Sequence, residues 1–159
     1  LEFRHSPAIG PNAFARPGGI IVITDEMVAK AESPGEALAV LAHEIGHVER
    51  HHAMRHILQD SAVATLAATL TSDASSLSLA VSGLPVMIAQ TKYSREFESE
   101  ADEFAFRLLK QHDISPELFA SLMERLSEEH GADESMWSFI SSHPITAKRI
   151  ARAREAAAK

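Results

Sequence analysis

No cysteine occurs anywhere in the 159 residues. Disulfides, thiol nucleophiles and thiolate metal sites are excluded together, so any metal must be held by imidazole nitrogen and carboxylate oxygen. Positive charge is also scarce, with 15 Lys and Arg against 22 Asp and Glu and a formal net charge of −7. A protein that coats DNA or RNA needs the opposite balance, and no nucleic-acid partner is expected. Nor is there an unbroken apolar run of the ~20 residues that a membrane-spanning helix needs. The two apolar stretches, Ala62 to Leu70 and Leu77 to Thr91, read as a helical hairpin buried in protein, the alternative being a pair of helices that dips into a membrane surface. A starting methionine is missing too. The chain opens Leu1-Glu2-Phe3, which reads as a fragment of a longer protein whose signal or anchor lies elsewhere.

What is present is ordinary globular composition, 45% hydrophobic and 23% charged, at a length that suits one domain over residues 1–159. The nine histidines are many for this length. Near the N-terminus, Asn12 to Arg16 and Gly19 to Thr24 flank Pro17-Gly18, a pair suited to a type II turn with positive φ at Gly18. A β-hairpin is expected there, with Leu1 to His5 as a third strand of a small antiparallel sheet. The remainder reads as helical, so the fold class is α+β, mainly α.

Ser33-Pro34-Gly35-Glu36 has the form of a helix start, with Ser33 as N-cap, Pro34 at the first helical position and Glu36 closing a capping box. Leu38, Leu41, Ile45 and Val48 then recur at three- and four-residue spacing, which predicts one buried stripe on a helix running to about Leu58. Ser94 to His112 predicts a second strong helix, Ser115-Pro116-Glu117 caps a third to about Glu129, and Pro144 to Ala158 a fourth. Gly131 to His143 reads as an irregular connection with a short helical piece around Trp137. The last helix carries Lys148, Arg149, Arg152, Arg154 and Lys159 against Glu155; it reads as a solvated face, the alternative being contact with a membrane or another domain.

Within the first long helix lies His43-Glu44-Ile45-Gly46-His47. Histidines at i and i+4 stand one turn apart on one helix face, so both imidazoles reach one ion while the intervening Glu is aimed at its open side. That is the pattern of a catalytic zinc site. Gly46 costs about 1 kcal/mol inside a helix, which is understandable if something approaches the backbone closely there. His51, His52 and His56 continue into a charged segment and read as exposed surface.

Catalytic zinc takes three protein ligands and water. Helical phasing sorts the acidic residues of Ser94 to Ala105. Phe97, Ala101, Phe104 and Leu108 form a core stripe, whereas Glu96, Glu100 and Glu103 continue into Arg107 and Lys110 as a solvated face. Glu98 and Asp102 continue into Ala105 and Leu109, so they are expected to be partly buried, and buried carboxylates need a metal or a hydrogen-bond partner. Glu98 fits a ligand; Asp102 fits an acceptor for a ligand histidine's remaining N–H. The alternative is an ordinary acidic pair one turn apart.

Taken together, HEIGH, SREFESEAD some fifty residues later, Ser142-His143-Pro144 with Arg149-Ile150, and NAFARPGG ahead of a strand resemble zinc metallopeptidase family forty-eight. Its members include the CAAX prenyl proteases, HtpX and their bacterial periplasmic relatives. The resemblance covers nearly the whole chain and implies a zincin-like, gluzincin-type domain in which a small sheet packs on the HExxH helix. It implies Zn2+ held by His43, His47 and Glu98, with Asp102 in support and Glu44 as general base. It also implies that the strand Asn12, Ala13, Phe14, Ala15 lies beside the cleft and pairs with an extended substrate backbone, which is strand addition. His143 would face the zinc, either donating to the reaction oxyanion or acting as a displaceable extra ligand, and Arg149 would be structural near the site. Two departures stand out: Asp25-Glu26-Met27 where relatives often carry a Gly-Leu-Leu-like run, and Ile145 where a second proline is frequent.

The expected function is a zinc-dependent metalloendopeptidase acting on polypeptides, in the setting of membrane or envelope protein quality control, with a cell-envelope location implied by the resemblance alone. The alternative is a zinc-stabilised, non-catalytic peptide-binding or chaperone-like module.

Overall fold

The computed structural model describes residues 1–71, 94–129 and 137–159. The second half of the expected hairpin, Leu77 to Thr91, lies outside the described residues, as does the start of the connection after Gly131. Three strands, β1 (Glu2–Arg4), β2 (Ala13–Ala15) and β3 (Ile21–Thr24), form one sheet in the order β1-β3-β2. Helices follow as α1 (Asp25–Lys30), α2 (Pro34–Glu49), α3 (His52–Thr71), α4 (Arg95–Gln111), α5 (Glu117–Glu129), α6 (Trp137–Ser142) and α7 (Ala147–Ala157). The α+β, mainly helical reading holds.

The sheet is mixed rather than antiparallel throughout. β2 and β3 pair antiparallel, with Phe14 opposite Val22, but β1 runs parallel to β3, with Phe3 opposite Ile23. The segment between β1 and β2 reverses direction once and the hairpin reverses it again, so β1 and β3 point the same way on adjacent rows. The hairpin turn also differs from the type II expectation. Gly19, not Gly18, has positive φ, at 77°, while Gly19 N–H donates to the Arg16 carbonyl and Arg16 N–H to that of Ile20. This is a type I turn followed by a left-handed glycine that forms a bulge, whose twist matches the flanking strands.

β3 runs directly into α1. Thr24 caps that helix by accepting from Met27 N–H at 3.1 Å, and its hydroxyl also accepts from Asn12 N–H at 2.8 Å and donates to the Gly10 carbonyl. One buried hydroxyl thus fixes the start of β2 relative to the sheet centre. Ser33 caps α2 as expected, accepting from Glu36 N–H. Glu36 reaches one residue further back than a simple capping box, to Glu32 N–H at 2.8 Å, and pairs with Arg125 of α5 at 2.6 Å. A buried carboxylate at a helix N-terminus is favourable to the helix dipole, and here it also ties α2 to α5.

Where the periodicity places the buried stripe of α2, the structure places a partly open one. Leu38 is 44% exposed, Leu41 and Ile45 are half-buried along an apolar groove on the outer face, and Val48 is half-buried. The fully covered face carries Ala39, Val40, Ala42, His43, Glu44, Gly46 and His47. Polar groups occupy the inner face because α4 and α6 bring their partners to it. On the other side of the core, α5 contributes Phe119, Ala120, Leu122, Met123 and Leu126.

α2 is shorter than the sequence predicts. Arg50 ends it, His51 adopts φ of 52°, and α3 restarts at His52. A left-handed non-glycine residue costs roughly 1–2 kcal/mol, and its effect is to swing His52 back beneath α2.

Candidate metal centre

α2 and α4 cross in close contact because Gly46 of α2 puts no side chain against the Ala101 backbone of α4. A Cβ on Gly46 would stand 2.8 Å from the Ala101 carbonyl oxygen and 3.0 Å from its Cα. This is the close approach that a glycine inside a helix suggested. Flanking that contact, α2 presents His43 a turn before and His47 just after Gly46, and α4 presents Glu98 a turn before and Asp102 just after Ala101.

All four are buried, Glu98 at 2% and Asp102 at 0% exposure. His43 Nε2 and His47 Nε2 are 3.0 Å apart, and Glu98 carboxylate oxygens stand 3.5 Å and 3.4 Å from them. His143, carried in just after α6, adds Nδ1 at 3.1 Å from Glu98 Oε1 and 3.3 Å from His43 Nε2. One ligand atom from each of His43, His47, Glu98 and His143 falls within 4.8 Å of the others, a set that could hold a metal ion. Two imidazoles and a carboxylate suit a borderline divalent cation such as zinc. Glu44 lies beside the set with both carboxylate oxygens buried and, among the described residues, without a hydrogen-bond partner, and His143 Nε2 is 3.5 Å from one of them.

Behind the set, Asp102 Oδ1 approaches His43 Nδ1 at 3.0 Å, a short contact poorly aligned for a hydrogen bond. Arg149 closes the rear. Its Nε and one terminal nitrogen donate to the two oxygens of Asp102 at 2.7 Å each, and its other terminal nitrogen lies 2.7 Å from Glu98 Oε2. The solvated-face reading of the C-terminal helix therefore fails at Arg149, which is buried. Thr146 caps α7, which begins at Ala147 rather than Pro144. Arg154 meets Glu117 and Glu124 of α5, so this part of the basic helix is matched by acid from its neighbour.

The electrostatics follow from this packing. Burial would raise the Glu98 carboxyl, but the surrounding histidines, His143 foremost, hold it well below the usual carboxylate range. Burial similarly opposes ionisation of Asp102, and the Arg149 charge outweighs it. For His43 burial disfavours the imidazolium, yet Asp102 and Glu98 push it up to about 9; for His47 burial wins and its pKa falls well below the usual value. Two buried anions beside one buried guanidinium leave the cluster short of positive charge, which a proton on His43 or a cation can supply.

The expected site residues fall as follows. His43, Glu44, His47, Glu98, Asp102 and His143 are brought together; β2 forms an edge of the sheet and packs on α2, with Asn12, Ala13 and Ala15 buried and Phe14 half-exposed. One neighbour of the set was not expected there. His52, expected on the surface, is wholly buried with Nδ1 2.9 Å from His47 Nδ1 and Nε2 3.2 Å from Glu100 Oε2. Burial lowers its pKa, favouring the neutral ring. Straight-helix phasing places residues five apart about 140° from each other, so only the break at His51 could have revealed the contact.

Comparison with known proteins finds metalloproteases among the relatives of this chain. The metalloprotease LoiP of Escherichia coli (strain K12) is 33% identical over 149 residues, covering 91% of this chain and 58% of that protein. The mitochondrial metalloendopeptidase OMA1 of Schizosaccharomyces pombe is 30% identical over 148 residues, covering 91% and 43%. The beta-barrel assembly-enhancing protease of Escherichia coli (strain K12) is 26% identical over 156 residues, covering 92% and 32%. The chain thus spans between about a third and somewhat over half the length of these relatives. Peptidase family M48 matches residues 3–157, and the chain belongs to that family.

Proposed function

We propose that residues 1–159 form one catalytic domain of a zinc-dependent metalloendopeptidase. The observation that carries the reading is Glu44, a buried carboxylate with no hydrogen-bond partner on either oxygen among the described residues, set against four potential ligand atoms. A structural acid in that position would be costly. A general base needs the bare lone pairs.

Zinc held by His43, His47 and Glu98 would supply Lewis-acid polarisation of the scissile carbonyl and of a water. Glu44 takes the proton from that water and passes it to the leaving amine. Asp102, backed by Arg149, orients His43 so that Nε2 faces the ion. β2 is a sheet edge beside α2, suited to pairing with an extended peptide and laying the scissile bond across the HExxH helix. His143, in contact with Glu98 and His43, would either donate to the developing oxyanion or serve as a displaceable fourth ligand.

An endopeptidase cuts within polypeptide chains, so the substrate is a protein. Relatives named for β-barrel assembly and for mitochondria support a setting in membrane or envelope protein quality control, and a cell-envelope location. No helix among the described residues is long and apolar enough to cross a membrane.

The test is casein digestion by zinc-loaded protein and by Glu44→Gln. The variant is expected to keep zinc and lose cleavage, and a chelator to stop the wild type. Cleavage by metal-replete Glu44→Gln would remove Glu44 from the reaction, and cleavage insensitive to chelators would remove the metal.

A further inference from the structure

The two histidines of the HExxH helix are not backed alike. His43 has a carboxylate at its outer nitrogen, 3.0 Å away on Asp102. The outer nitrogen of His47 instead meets His52 Nδ1 at 2.9 Å, and the far nitrogen of His52 meets Glu100 at 3.2 Å. Arg55 holds Glu100 in turn, at 2.9 Å.

We propose that His52 is a positioning residue for His47, and that Glu100 sets the tautomer of both rings. The inference rests on the zinc site read above. An ionised carboxylate only accepts hydrogen bonds, so His52 Nε2 carries the proton that it donates to Glu100. In a neutral ring the other nitrogen is then an acceptor. His52 Nδ1 accordingly accepts from His47 Nδ1–H, and His47 is left with a bare Nε2. That nitrogen is the one facing His43 Nε2 and Glu98.

The surroundings hold His52 in this pose. Its ring stacks on Phe97 with centroids 4.4 Å apart and planes 5° from parallel, and the Arg55 guanidinium lies 4.3 Å from the same Phe97 ring. Phe97 is one residue before Glu98, so the platform for His52 and the third ligand share one turn of α4. The left-handed His51 permits the arrangement, because a continuous helix would turn His52 away from His47. Ligand histidines are routinely oriented by such outer partners, whose loss typically weakens metal binding 10–100-fold.

The test measures zinc affinity by chelator competition, together with the visible spectrum of the cobalt-substituted protein. His52→Phe keeps a ring over Phe97 but cannot accept, and is expected to bind zinc about 10–100-fold more weakly, with an altered cobalt spectrum. His52→Asn offers an amide oxygen near the position of Nδ1 and is expected to recover much of that loss. Glu100→Ala removes a part-exposed side chain, so folding tolerates it; a loss of about tenfold or less is expected. Wild-type affinity and spectrum in both His52→Phe and Glu100→Ala would overturn the proposal, as would equal losses in His52→Phe and His52→Asn, which would mark the role as packing alone. If His52→Phe does not fold, His52→Asn and Glu100→Ala decide: an altered cobalt spectrum with weakened zinc binding in Glu100→Ala supports the relay, and unchanged values in both variants overturn it. Failure of the underlying reading looks different, since wild-type protein would then bind no zinc.

Discussion

The backbone of Gly46 faces the carbonyl of Ala101 so closely that an added Cβ would stand 2.8 Å from the oxygen. Because the obstacle is main chain, no side chain can swing aside to make room. Gly46→Ala must therefore separate α2 from α4, and with them His43 and His47 from Glu98. Alanine favours a helix interior by about 1 kcal/mol, but overpacking against a fixed neighbour costs roughly 1–3 kcal/mol, and the latter is expected to win. Urea denaturation should show a net loss of stability, and chelator competition weaker zinc binding. A Gly46→Ala protein more stable than wild type would show that helix propensity outweighs the contact.

Among the described residues, Arg149 is the one arginine or lysine that pairs with both Glu98 and Asp102. Arg149→Leu leaves two buried carboxylates short of a partner, and breaking such a buried pair costs roughly 3–5 kcal/mol. Arg149→Lys restores charge but not the two-pronged grip on Asp102, so it should recover only part of the loss. The deficit should be largest without metal and shrink when zinc neutralises Glu98. Denaturant midpoints for both variants, with and without zinc, check the order.

The raised pKa of His43 gives metal-free protein a distinctive pH dependence. Asp102 and Glu98 overcome the burial of the ring and push it to about 9 from an ordinary 6.5. A folded-state value above the unfolded one means the folded state holds the proton more tightly. That contribution is fully present below about 6.5 and is lost as pH rises through about 9. Zinc replaces the proton, so binding should release one in this window and the slope should vanish in loaded protein. Thermal unfolding between these limits, with and without zinc, measures it; equal slopes in both forms would contradict the expectation.

The site was largely legible because its chemistry is local. HExxH fixes two imidazoles and a carboxylate on one helix, and the apolar row through Ala105 and Leu109 gives away the buried side on which Glu98 and Asp102 sit. Glu100 shows where phasing stops: it belongs to a polar row, yet it pairs with His52 across the break in the chain. Turn details were also hidden. Pro17-Gly18-Gly19 satisfies both a type II turn and a type I turn with a bulge, and only the pairing with β3 selects the second. The short helix Asp25–Lys30 depends on Thr24, whose capping role is invisible while that residue also reads as the end of a strand.

The apolar stripe of α2 supplies the last expectation. Periodicity alone makes Leu38 a core residue, but it is 44% exposed, whereas Leu122 of α5 is completely covered. Core truncation of leucine typically costs 2–5 kcal/mol, so Leu122→Ala is expected to lose about that much. Leu38→Ser should lose under about 1 kcal/mol, since most surface substitutions stay within roughly 0.5. Val40, two residues on and fully buried, provides the control on the same helix: Val40→Ser also strands a hydroxyl in apolar surroundings and should cost more than Leu38→Ser despite removing a smaller side chain. Urea midpoints for the three variants test whether α2 buries the face that carries His43 and His47 or the face that its leucines mark; a larger loss at Leu38 than at Val40 would reverse the assignment.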